Sequence, residues 1–137
     1  MINAYIKLVD GSVTHEITLD EVKKLLDYYK EITSKTGSQL DWDYSEHAFP
    51  YTISKEEENY FVLESKDSRY RTIIIGVGKE AESENSPSTS YIQVSLPQQS
   101  THGDKGKANE FCKFLGKKLE GELHLFNGRI MYYYKRK

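Results

Sequence analysis

The most reactive side chains of this 137-residue chain are one cysteine, Cys112, and four histidines, His15, His47, His102 and His124. A nucleophilic cysteine needs a base beside it in space and an exposed, partly ionised thiol. Cys112 instead stands between Phe111 and the Leu115 that follows at helical spacing, the position of a small buried hydrophobe. The histidines form no pair at metal-binding spacing. Asp41, Asp43, Glu46 and His47 supply oxygen and imidazole ligands within seven residues. Their spacing fits no calcium loop and lacks the glycine at which such a loop turns, so they read as an acidic surface loop. Gly103-Asp104-Lys105-Gly106-Lys107 has the outline of a phosphate loop. Only two residues separate Gly103 from Gly106, and Ala108 stands where the magnesium-binding hydroxyl belongs. It reads as a capped helix start whose amides, with Lys105 and Lys107, form a candidate anion site. Ser54-Lys55 and Ser65-Lys66 lie in strand and turn segments and bring no catalytic context. No catalytic residue, metal ligand or cofactor is assigned.

The C-terminal segment carries the most distinctive pattern. Leu123 to Phe126 and Arg129 to Tyr132 flank Asn127-Gly128, a strong hairpin signal because a two-residue turn needs positive φ angles. That turn sets Leu125 opposite Ile130 and Leu123 opposite Tyr132, one apolar face for the core. The other face then carries His124, Phe126, Arg129, Met131 and Tyr133, with Lys135 and Lys137 in the same alternation. Such a face needs cover, either from the chain's own 38–58 or 79–90 loop or from a partner, and a second copy of the chain is the partner expected. Aromatic rings among bases also suit the stacking of single-stranded nucleic acid, the alternative reading, in which Arg136 joins Arg129, Lys135 and Lys137.

The elements that position these residues follow from periodicity. Ile2, Ala4, Ile6 and Leu8 alternate as a half-buried strand. Asp10-Gly11 marks a turn, and Val13, His15 and Ile17 form a second run; the two runs are either a hairpin or one strand followed by a bend. Thr18 and Glu21 make a capping box ahead of Leu19, Val22, Leu25, Leu26, Tyr29 and Ile32 at helical spacing. A helix is predicted over 19–35, with Gly37 as its stop. Residues 38–58 are aromatic but aperiodic and read as a loop over the core, with a short strand near 51–54. Strands are predicted at 60–65, 70–77 and 91–96. The Glu/Ser-rich segment 79–90 reads as the most loop-like. A second helix runs from about 104 to 119 with Ala108, Phe111, Cys112, Leu115 and Leu119 on one face; Gly116 weakens it by about 1 kcal/mol, and Gly121 stops it. Strands without regular helical crossovers predict one α+β domain over 1–137, a two-layer sandwich of five to seven mostly antiparallel strands with two helices on one face.

Composition agrees. Eleven tyrosines, five phenylalanines and one tryptophan make a core feasible at 37% hydrophobic content. The net charge of −2 is unevenly spread: residues 1–104 hold 10 basic and 18 acidic side chains, residues 105–137 hold 9 and 3. The basic third reads first as solvated helix faces. The longest apolar run, Ile73-Ile74-Ile75-Gly76-Val77, is far short of a membrane span, and Met1 to Val9 lacks the features of a signal peptide. With a single cysteine, these features predict a cytoplasmic protein with no membrane partner.

Asn3-Ala4-Tyr5-Ile6-Lys7-Leu8-Val9, Lys107-Ala108-Asn109-Glu110-Phe111-Cys112 and Gly121-Glu122-Leu123-His124-Leu125-Phe126-Asn127-Gly128 resemble a small uncharacterised family of spore-forming Gram-positive bacteria. The resemblance covers nearly the whole chain. It implies a small α+β domain of unknown function and assigns no residue a role. The functional expectation is therefore a non-enzymatic binding or interaction module that forms a homodimer.

Overall fold

The computed structural model describes residues 1–40, 49–81 and 83–135, with the backbone alone for 34–40. The elements, in chain order, are β1 (Ile2–Lys7), α1 (Leu19–Leu40), β2 (Thr52–Glu56), β3 (Tyr60–Glu64), β4 (Thr72–Glu80), β5 (Thr89–Leu96), α2 (His102–Leu119), β6 (Glu122–His124) and β7 (Ile130–Tyr132). The seven strands form one sheet in the order β2-β3-β4-β5-β1-β6-β7, and every neighbouring pair is antiparallel. The α+β fold predicted from the strand and helix order is the one observed. Among the described residues no helix is long and apolar enough to cross a membrane.

Alternation decides which side of the sheet is covered. Ala4 and Ile6 of β1 lie opposite Val94 and Ile92 of β5, which lie opposite Ile75 and Val77 of β4. Phe61 and Leu63 of β3 continue the surface. Both helices pack over this face, α2 with Ala108, Phe111, Cys112, Leu115 and Leu119, and α1 with Val22 and Leu26. Phe111 is the centre of an aromatic cluster: Tyr29, Phe49 and Tyr51 stand 5.4, 5.4 and 6.1 Å from its ring. Phe49 and Tyr51 belong to the segment expected to lie over the core, and their side chains do so.

The start of α1 is as the sequence predicts. Thr18 Oγ1 accepts from Glu21 N, and Glu21 Oε1 accepts from Thr18 N. In α2 the pair is Thr101 and Asp104, and the helix begins at His102, about two residues earlier than expected. Asp104 does more than cap. Its carboxylate is fully buried and accepts from Thr101 N, Arg71 N, Thr72 N and the Tyr51 hydroxyl, the last at 2.6 Å. It ties the start of α2 to the start of β4 and to the segment leading into β2. Burial alone would raise its pKa, but the Tyr51 hydroxyl and the three amides outweigh that and hold it below the usual 3.8.

Of the two readings of residues 13–17, the structure has one strand followed by a bend and not a hairpin, and the backbone there bonds to Leu119 and Ser90. Three further boundaries differ from the sequence reading. Helix α1 passes through Gly37 and ends at Leu40. Strands β4 and β5 extend to Glu80 and from Thr89, which shortens the loop between them. The last difference, the register of the terminal hairpin, moves candidate functional residues.

Candidate binding surface

The side chains that alternate away from the helices make up the second face of the sheet. Across its middle lie Tyr60, Gly76, Gln93, Tyr5 and His124, on five neighbouring strands; one step along lie Gly78, Tyr91, Lys7, Glu122 and Tyr132. No helix covers them among the described residues. They are mostly half-buried by one another, and the face is aromatic and polar where the other is aliphatic. Tyr91 and Tyr5 meet edge to face at 5.9 Å. The tip of the Tyr91 ring lies over Gly78, where a Cβ would stand 2.5 Å from Cζ and Oη. A glycine in mid-strand, costly by itself, is thus roofed by an aromatic ring from the next strand.

Beside this ring, Ser95 Oγ donates to Asn3 Oδ1 at 2.6 Å, and Gln93 Nε2 donates to Ser95 Oγ and Asn3 Oδ1 at 3.1 and 3.3 Å. A groove of 370 Å³ opens here, lined by Tyr60, Gly76, Gly78, Tyr91, Gln93 and Ser95 among others, none with a charged side chain. A larger cavity of 630 Å³ lies at the end of the sheet between Lys7, Asp10, Glu80, Glu122 and Tyr134. Lys7, Glu80 and Glu122 are engaged within the protein. Lys7 pairs with Glu80 at 3.3 Å, while Glu122 binds His124 at 2.8 Å and accepts from the Tyr134 hydroxyl at 3.2 Å.

The terminal hairpin corrects the expected face. Leu125 N donates to Arg129 O, and Leu123 pairs with Met131 and His124 with Ile130. The loop therefore has three residues, 126–128, and not two. Only Gly128 takes a positive φ, +86°. Asn127 keeps a negative φ and uses its side chain, accepting from Arg129 N at 3.0 Å. A one-residue slip exchanges the two sides of a strand. Met131 and Tyr133 consequently turn to the helix side with Leu123, and Phe126 and Leu125 also pack against the core. Ile130 and Tyr132, expected inside, are 41% and 45% exposed on the other side with His124. The predicted grouping of His124, Phe126, Arg129, Met131 and Tyr133 is thus divided, with the exposed Arg129 at the turn. Gly116 explains itself here: the Tyr133 ring lies against it, 2.8 Å from where a Cβ would stand.

The other candidates are placed as follows. Lys105 is exposed, whereas Lys107 is 3.1 Å from Glu110. The first-turn amide of Asp104 is taken by Thr101 Oγ1 and that of Lys105 by Thr101 O. Cys112 is completely buried, and burial pushes its thiol up to about 12, far from the ionised form a nucleophile needs. His15 and His102 are exposed. Asp41, Asp43, Glu46 and His47, and Arg136 and Lys137, lie outside the described residues.

No motif marks the groove residues in the sequence, because a strand is recognised by the apolar half of its alternation. The signal is in the other half: Asn3 and Tyr5, Tyr91, Gln93 and Ser95, and glycines at 76 and 78, interleaved with Ala4, Ile6, Ile75, Val77, Ile92 and Val94.

A family model described as a domain of unknown function, DUF1885, matches residues 2–135, and the chain belongs to that family. No curated protein matches. A crystal structure of a protein of unknown function from Bacillus stearothermophilus, a spore-forming Gram-positive bacterium, is 43% identical, with 92% of this chain and 94% of that one covered and a TM-score of 0.59.

Proposed function

We propose that this member of a family of unknown function is a non-enzymatic interaction module that self-associates through the outer edge of its C-terminal hairpin. The observation that supports it is β7. It ends the sheet, pairs with β6 alone among the described strands, and leaves Ile130 41% exposed beside Tyr132, whose ring meets that of Tyr134 at 5.9 Å. Leu125 N donates to Arg129 O and Tyr133 N to Gly121 O, on either side of β6, so by alternation the backbone groups of Ile130 face outward. A two-fold axis at Met131 sets Ile130 of one copy opposite Tyr132 of the other on the same side of a continuous sheet. Closed two-fold pairing satisfies both edges at once. Burying each side chain contributes about 1.5–3 kcal/mol.

Light scattering on the wild type is expected to give a dimer. Ile130→Asp, which sets a charge on the edge, is expected to give a monomer with unchanged far-ultraviolet circular dichroism. Amide exchange at Ile130 should slow as protein concentration rises. A wild type that stays monomeric at high micromolar concentration overturns the reading.

A further inference from the structure

We propose that Asn127 is a self-modification site: its side-chain amide cyclises onto the backbone nitrogen of Gly128 and is hydrolysed to a carboxylate, and the hydrogen bonds of the folded turn hold this reaction off until the hairpin opens. The site lies at the tip of the hairpin and does not depend on self-association.

The chemistry needs only this dipeptide and water. The Gly128 amide gives its proton to solvent base, and its nitrogen attacks Asn127 Cγ. A C–N bond forms, the Cγ–Nδ2 bond breaks, and the nitrogen leaves as ammonia with a proton from water. The cyclic imide then takes up water at either carbonyl. One opening gives aspartate; the other gives isoaspartate, in which the chain runs through the side chain. Water is consumed, ammonia is released, and nothing is oxidised or reduced. Glycine suits the step because it has no side chain to shield the attacking nitrogen. Asn127 and Gly128 are both exposed, and nothing stands within 4 Å of where a Gly128 Cβ would be. Solvent therefore reaches the reacting atoms.

The folded turn opposes the attack at both of its partners. Gly128 N donates to Leu125 O at 3.0 Å, so the proton that must leave is bonded. Asn127 Oδ1 accepts from Arg129 N at 3.0 Å, which commits the side-chain amide to the residue beyond Gly128. Leu125 N, donating to Arg129 O at 2.8 Å, closes the loop around both. Each bond is modest alone, but they share one short loop and are lost together. That loop joins β6 to β7, the strand that ends the sheet, and an end strand opens more readily than a central one. Asn127 is thus quiet in the closed hairpin and reactive in the open one. The products also differ. Aspartate keeps an oxygen for Arg129 N, whereas isoaspartate adds a carbon to the backbone of the loop and loosens β7 from β6.

The test follows the tryptic peptide 119–129, whose sole asparagine is Asn127 and which contains no glutamine. The full chain is held at mildly alkaline pH, native and in urea, beside a synthetic peptide of residues 121–133. Mass spectrometry is expected to show the same rate of conversion in urea as in the synthetic peptide. The native chain should be at least about tenfold slower, the effect of two ordinary hydrogen bonds. Hydrogen exchange at the Gly128 amide should be slowed by the same factor as conversion, since both wait for the same opening. Tyr133→Ala, which removes the ring resting on Gly116, should speed conversion while core amides stay unshifted. Should that variant unfold, the match between exchange and conversion in the wild type carries the test. Native conversion as fast as in urea overturns the proposal, because the turn then gives no protection. An Asn127 that survives in urea and in the peptide overturns it, as does native conversion slowed less than Gly128 exchange, which would mean that the closed turn itself reacts.

Discussion

The two faces of the sheet are made by the same strands and differ by one residue of offset. On the covered face Ile6, Ile75, Ile92 and Val94 are interchangeable in kind: any aliphatic side chain of that volume would do. On the other face each position is chemically distinct. Gly78 is roofed by Tyr91, Gln93 is bonded to Asn3 and Ser95, and Lys7 is paired with Glu80. Helix packing explains the first face completely. It explains nothing about the second, whose side chains are ordered without being needed to hold the helices. Stability is therefore expected to reside on one side and recognition on the other.

The largest effect should come from the covered side. Asp104→Ala strips partners from three backbone amides and the Tyr51 hydroxyl in a buried site. Urea denaturation is expected to show a loss of about 3–5 kcal/mol. The wild type should also carry an acid dependence traceable to this residue. Its folded pKa lies below the unfolded value, so its contribution is complete above about pH 4 and is lost as pH falls through the folded value. Asp104→Asn should flatten stability against pH in that window; an unchanged slope would move the tie elsewhere.

Gly116→Ala comes next and has a sign opposite to the usual one. Helix propensity alone favours alanine by about 1 kcal/mol, but the new methyl meets the Tyr133 ring. Thermal unfolding is expected to show a net loss of about 1–3 kcal/mol. A gain would mean that the hairpin does not press on α2. The smallest effect belongs to the open face. Gln93→Ala should change stability by less than about 0.5 kcal/mol, and a cost above about 1 kcal/mol would make this face structural and erase the contrast.

The sequence was legible where one physical cause acts alone. The Thr18–Glu21 box and the aliphatic alternations of β1, β3, β4 and β5 each needed no knowledge of the rest of the chain. It was misread where local and distant causes compete. Asn127-Gly128 favours a two-residue turn locally, yet packing of Phe126 and Tyr133 against the core selects a loop one residue longer. Gly37 is a helix stop by propensity, yet α1 runs through it. The groove has another reason for being hard to read: its residues come from β3, β4 and β5 and become neighbours only through the pairing of those strands.

The insertion of β1 between β5 and β6 bears on how the chain is made. Strand β1 leads the chain, while both of its sheet neighbours lie far behind it, β5 by roughly eighty residues and β6 by still more. At a synthesis rate of about 5–20 residues per second, β1 spends several seconds or longer after its own synthesis with Ala4, Ile6 and Leu8 unsheltered. The meander β2-β3-β4 can assemble during that interval and then offers β5 an edge. The nascent chain thus holds an aliphatic strand in waiting, a target for chaperones and for mispairing, until the second half of the molecule arrives to close over it.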